Sequence, residues 1–315
     1  MRKIKEWQVL KEKIRNGKSG ILLYGIVPPK ITSSQDELER LGTAWSQRLG
    51  ECECDGIVIY DLQDESARTK DERTFPFVHT IDPARYYTQY LHTDKEAIIY
   101  RAVGKYDEAE FCEILRHAAS GLSVFVGASS KNEECKLHLS HAYELKRLVA
   151  PHLCLGGICI PERHEKSRDE HLKIAEKTAD GCEFFITQAV YNVQNAKDFI
   201  DDYATLECKK VPIIFTFTPC GSLKTLEFMK WLGISVPDFL QQRLQSSVDI
   251  LQSSTALCAE MFDFIYKYAL AKGVSVGANI ESVSTRRVEI EASLSLLKEI
   301  RKIILKHENL GFYVI

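Results

Sequence analysis

The sequence predicts an α/β protein folded as a single (β/α)8 TIM barrel. Eight short, apolar, β-rich runs recur along the chain, and segments of helical periodicity separate them. The runs are almost continuously apolar, as parallel strands covered on both faces must be. Eight alternating units in roughly 250 residues favour a closed barrel over an open doubly wound sheet, the alternative the pattern leaves. The 315 residues, 45% hydrophobic and 27% charged, suffice for one large core, so residues 1–315 are read as one domain.

Residues 1–19 read as an N-terminal amphipathic helix with Ile4, Trp7, Leu10 and Ile14 on one side. The segment is basic but lacks the apolar stretch and cleavage site of a signal peptide. The first strand run, 20–27, stops at Pro28-Pro29 and contains Gly25, where a missing side chain usually marks a close approach or a functional departure. Ser34-Gln-Asp-Glu37 is a capping-box pattern ahead of a helix. The second run, 56–62, leads into the charged segment 67–73, read as a solvated loop or a flap over the barrel mouth.

The third run is 97–103; Asp107 then caps a helix that Gly121 ends. Runs four to six are 123–128, 153–160 and 183–191, with Asp169 opening a helix that Gly181 closes. The seventh run is 211–217. An aromatic stripe at 262–273 reads as packing between helix and barrel, and the eighth run is 273–280.

A net charge of −3 gives no general pull towards nucleic acid or anionic lipid. No apolar run approaches the roughly 20 residues that span a bilayer. Ten scattered cysteines in a chain this long suit a reduced, cytoplasmic protein. Cys135, His138 and His141 have metal-ligand chemistry, but steps of three residues drift about 60° around a helix each time, so no metal site is expected. Barrel enzymes work at the C-terminal strand ends, which here carry Gly25, Tyr60, Asp61, Tyr100, Ser129, Ser130, Glu162, Gln188, Thr218, Asn279 and Glu281.

Pro161-Glu162-Arg163-His164, Glu170, Lys177, Asp180-Gly181-Cys182 and Ile186-Thr187-Gln188 follow one another in the order seen in the methylenetetrahydrofolate reductases, which this chain resembles. Pro28-Pro29 and the stretch 215–240 extend the likeness over essentially the whole chain. The resemblance implies a one-carbon enzyme acting on a small-molecule reduced folate, with FAD across the mouth and NAD(P)H as electron donor. It implies that Gln188 meets the pterin and that His164, Glu170 and Lys177 lie near the flavin's ribose and diphosphate. Family members commonly form homo-oligomers.

The departures are equally specific. The family's catalytic glutamate before the double proline aligns with Gly25, which has no proton to give. The family's third strand ends Pro-His-Leu-Thr and its fourth Leu-Arg-Gly-Asp; here Ile99-Tyr100-Arg101-Ala102 and Gly127-Ala128-Ser129-Ser130 stand instead. Several changes along one ligand's path argue that the ligand or its pose has changed. Tyr60 and Tyr100 are candidate substrate contacts, Tyr100 by stacking on a ring system, and Ser129-Ser130 offer a phosphate contact. Asp61, after the second strand, and Glu281, after the eighth, are the candidates for the missing acid, because both strands adjoin the first. Three readings follow: a reductase-like enzyme with a non-standard site, a flavin-free folate-dependent transfer enzyme, or a barrel that only binds its ligand.

Overall fold

The computed structural model describes residues 9–66, 69–128 and 135–309. Its eight strands are β1 (Leu22–Ile26), β2 (Gly56–Ile59), β3 (Ala97–Ala102), β4 (Leu122–Val126), β5 (Cys154–Cys159), β6 (Cys182–Ala189), β7 (Ile213–Phe217) and β8 (Val276–Ile280). All are parallel to their neighbours and close in sequence order, β8 pairing with β1. This is the (β/α)8 barrel the sequence predicts.

The described helices are α1 (Val9–Arg15), α2 (Gln35–Gly50), α3 (Pro83–Gln89), α4 (Glu108–Arg116), α5 (Leu139–Val149), α6 (Pro161–Ser167), α7 (Glu170–Ala179), α8 (Val193–Ala204), α9 (Leu223–Trp231), α10 (Asp238–Gln245), α11 (Ile250–Ala271) and α12 (Arg287–Asn309). None is long and apolar enough to cross a membrane. Ser34 caps α2 by accepting from the Glu37 N–H at 3.3 Å. Asp107 and Glu110 form a reciprocal capping box on α4. Asp169 stands at the start of α7 but makes no capping bond; its carboxylate takes Lys173 at 2.8 Å instead. Gly181 follows α7 at φ +109°, a left-handed geometry that favours glycine. Gly121 does not end α4, which stops at Arg116; its carbonyl instead accepts from the Cys154 N–H at 2.9 Å.

Successive strand residues face opposite sides of the sheet, and two buried clusters record this. Outward residues such as Tyr24, Ile57, Phe185 and Phe215 pack under the helices, where Phe262 and Tyr266 of the aromatic stripe on α11 join them. Inward residues, among them Leu23, Val58, Ile98, Val124, Phe184 and Ile214, fill the barrel. Leu10 and Ile14 of α1 belong to this inner cluster, so the N-terminal helix plugs the barrel floor. Burying two such side chains contributes roughly 1.5–3 kcal/mol each. The helix is pinned at its rim by Lys13 on Asp55 at 2.6 Å and Arg15 on Glu183 at 2.8 Å. Ile4 and Trp7 lie outside the described residues, as do Ser129 and Ser130.

Candidate functional site

The inward row of each strand, followed to its C-terminal end, builds the barrel mouth. On β1 that row runs through Leu23 to Gly25, on β2 through Val58 to Tyr60, and on β3 through Ile98 to Tyr100. On β6 it reaches Gln188, on β7 Thr216, and beyond β8 it passes Asn279 to Glu281. Leu23 pairs with Asn279, so two residues further the same register sets Gly25 beside Glu281.

Gly25 is glycine because of Tyr60. A Cβ at position 25 would lie 2.9 Å from both the ring and the hydroxyl of Tyr60, closer than real contacts allow. The phenol thus occupies the space beside β1 where a side chain would otherwise project. Its hydroxyl donates a short hydrogen bond to Glu281 Oε2 and accepts one from Asn279 Nδ2 at 2.8 Å. Asn279 is fully buried and also donates to Thr216 Oγ1 at 3.2 Å. Tyr100 packs edge-on against Tyr60 with ring centroids 4.8 Å apart. Burial among these rings pushes the Glu281 carboxyl above the usual carboxylate range, and the Tyr60 hydrogen bond opposes the shift. Burial holds both phenols well above 10, so they are neutral.

Asp61, the other candidate acid, has the opposite strand parity and joins a different network. Its carboxylate accepts from the Ala102 N–H at 2.9 Å, Lys105 at 2.5 Å and Tyr106 at 3.0 Å. Asp61 therefore ties the end of β2 to that of β3, and none of these bonds reaches Gly25. Gln188 is half-buried, with its amide nitrogen donating to Leu232 O at 2.6 Å. Among the described residues nothing bonds its Oε1, which leaves an acceptor and a second N–H for a ligand edge.

The loop after β2 crosses this sector. Its Thr80 bridges Lys30 beside the β1 turn, and further on it reaches α9, which follows β7. There the Arg73 guanidinium lies 4.9 Å from the Trp231 ring centroid and 5.4 Å from that of Phe228. The Trp231 indole N–H donates to Asp71 O at 3.0 Å. Because β1 and β8 lie between β2 and β7 in the closed order, the loop spans the strand ends that carry Gly25 and Glu281. The flap of the sequence reading is thus a strap latched on its far side; Ala67 and Arg68 lie outside the described residues.

A flavin dinucleotide needs donors for its diphosphate and an open face for its ring system. Here Lys177 Nζ donates to Ile158 O at 2.8 Å, and Glu170 accepts from the Ile160 N–H at 2.8 Å, so both brace the end of β5. His164 is buried, with its Nε2 3.0 Å from an Asp202 carboxylate oxygen. Arg101 is held by Asp82 and Tyr106. Tyr100 is buried against Tyr60 rather than open for stacking. Lys177, His164 and Arg101 thus each have a protein partner, and the Lys177 ammonium keeps two further N–H groups. His164, His171 and Asp202 have ligand atoms within 4.8 Å of one another, a grouping the sequence did not reveal because it joins α6, α7 and α8. The Arg168 guanidinium, 2.7 Å from the Asp202 carboxylate, already supplies the positive charge there.

Comparison with known proteins bears on this geometry. Residues 127–275 match the sequence profile of the family described as methylenetetrahydrofolate reductase. A solved structure, described as an uncharacterized protein from Clostridium thermocellum that binds two copies of 5-methyl-5,6,7,8-tetrahydrofolic acid, shares 47% identity with this chain. The match covers 94% of this chain and 99% of that one, with a TM-score of 0.83. This chain belongs to the methylenetetrahydrofolate reductase family. An archaeal fructose 1,6-bisphosphate aldolase is far more distant, at 9% identity and a TM-score of 0.48 over 95% of this chain and 99% of its own. No curated protein matches. At the mouth, a carboxyl from the end of β8 stands beside Gly25 of β1.

Proposed function

We propose that this protein is an enzyme of one-carbon chemistry that binds a reduced folate at the barrel mouth and uses Glu281 as its general acid. The observation that carries the reading is the hydrogen-bonded Tyr60–Glu281 pair standing where β1 offers only Gly25. Burial moves the Glu281 carboxyl above its ordinary range, the direction that favours a general acid. Gln188 supplies the amide edge for the pterin, and the half-buried mouth limits competing water.

The chemistry assigned to Glu281 is redox-neutral. Its proton passes to N10 of 5,10-methylenetetrahydrofolate, the bond from the bridging carbon to N10 breaks with its electron pair going to nitrogen, and an N5 iminium remains. A reduced nicotinamide would deliver hydride to that carbon in a reductase, and a nucleophile would take it in a transfer enzyme. The commitments of Lys177, His164 and Arg101 favour a course without flavin. Ten cysteines outside any disulfide support a reducing, cytoplasmic setting.

The Clostridium thermocellum protein's two bound methyltetrahydrofolate molecules favour a second reading, a barrel that holds folate without converting it. Calorimetric titration with 5-methyltetrahydrofolate tests the shared premise. Binding is expected, and Gln188→Ala weakens it about tenfold, the loss of one or two hydrogen bonds. Absence of binding, or unchanged affinity in Gln188→Ala, would remove the pterin site from the account. Turnover of the methylene compound separates enzyme from carrier.

A further inference from the structure

The hydrogen bonds around Glu281 run in one direction. Asn279 is anchored by Thr216 and donates to the Tyr60 hydroxyl, which in turn donates to Glu281 Oε2. The carbonyl oxygen of a protonated carboxyl is its better hydrogen-bond acceptor, so the Tyr60 bond to Oε2 favours the proton on Oε1. No described residue bonds Oε1, and the Glu281 side chain remains partly accessible from the mouth.

We propose that Tyr60 and Asn279 are positioning residues that fix which oxygen of Glu281 bears the transferable proton, holding Oε2 as an acceptor so that Oε1 presents the proton to the ligand. The inference rests on the reading of Glu281 as the acid and deepens it. It also gives Gly25 a purpose: any side chain there would push Tyr60 off Glu281 and undo the arrangement. Asn279 is completely buried while its own Oδ1 has no partner, a cost of about 1–3 kcal/mol in general. An aliphatic residue would avoid that cost, so the amide's presence calls for work done by its N–H groups.

Among the described residues, the groups whose titration feels the Glu281 charge are phenols: Tyr60 beside β2, Tyr100 on β3 and Tyr24 on β1. Each is raised by burial and stays neutral across the working range, so proton uptake at Glu281 is read without interference. The experiment is infrared difference spectroscopy of the folate-free protein across pH, following the carbonyl stretch of a protonated carboxyl that disappears in Glu281→Gln. The Tyr60 bond stabilises the ionised form. Tyr60→Phe is therefore expected to move the carbonyl band to higher frequency and the titration to higher pH. Asn279→Leu is expected to give a smaller shift of the band, because Tyr60 loses its anchor. Thr216→Val, one bond further out and sparing the fully buried Asn279, is expected to shift the band in the same sense.

A band and titration unchanged in Tyr60→Phe would overturn the proposal, as would shifts in Thr216→Val with none in Tyr60→Phe. The measurement needs no folate. Failure to bind folate would therefore remove the proposed function and leave the proton assignment standing, and the reverse failure would do the opposite. With folate present, Tyr60→Phe should lower turnover about tenfold at unchanged KM, the mark of a lost orienting bond; a change in KM alone would assign Tyr60 to substrate binding instead.

Discussion

Gly25 on β1 and Glu281 beyond β8 stand side by side at the barrel mouth, and the proposed general acid is the second of them. Steric fit explains why the arrangement is stable: Tyr60 packs into the space at Gly25 and finds its acceptor on Glu281. Overpacking at such a position typically costs about 1–3 kcal/mol, so alanine at 25 would displace the phenol. A second carboxyl shows what burial without partners does. Glu162, on the first turn of α6, has both oxygens buried and unbonded, and burial pushes it up to about 7. The folded chain thus retains a proton that the unfolded chain releases near 4.5. Stability from this group is present below that point and falls as pH rises to about 7, by about 3 kcal/mol in all. Denaturant melts at pH 5 and pH 8 should show this decline in the wild type and a shallower one in Glu162→Gln. Equal slopes would mean that Glu162 does not titrate in this window.

The strap after β2 depends on α9 for its position. Arg73 lies against Phe77, Phe228 and Trp231, contacts worth roughly 0.5–2 kcal/mol each as desolvation increases. Arg73→Ala should speed amide hydrogen exchange across 69–81 and leave the strands unchanged; exchange identical to wild type would show that the latch lies elsewhere. The elements themselves were largely legible in the sequence, because apolar runs, caps at Ser34 and Asp107, and Gly181 act locally. The opposite facing of Tyr60 and Asp61 was also within reach, since strand alternation turns the first inward and the second outward. What lay beyond the sequence is tertiary. Lys177 and Glu170 grip the β5 backbone, and His164 meets Asp202 across 38 residues. Such pairings depend on how α6, α7 and α8 rotate against the sheet, which no local pattern encodes. The resemblance offered those three residues to a flavin; their bonds in the fold brace the barrel rim.

Across the whole molecule, function and stability occupy opposite ends of the barrel. The floor is closed by α1, with Leu10 and Ile14 in the inner core, while the mouth concentrates Tyr60, Tyr100, Gln188, Asn279 and Glu281 on the inward rows. That division suits a fold whose C-terminal strand ends carry chemistry. The family assignment and the methyltetrahydrofolate-binding relative at 47% identity supply the folate context. The geometry places the Glu281 carboxyl, the proposed acid, beside Gly25. Ring opening by that acid needs no electron donor, so it is measurable alone as exchange of carbon-13 formaldehyde into 5,10-methylenetetrahydrofolate, followed by NMR. The wild-type protein should accelerate the exchange, and Glu281→Gln should slow it by roughly 10²–10⁴-fold, the usual contribution of a general acid, with folate affinity retained. Exchange as fast in Glu281→Gln as in wild type, with loss in Asp61→Asn, would contradict the account and move the acid to β2.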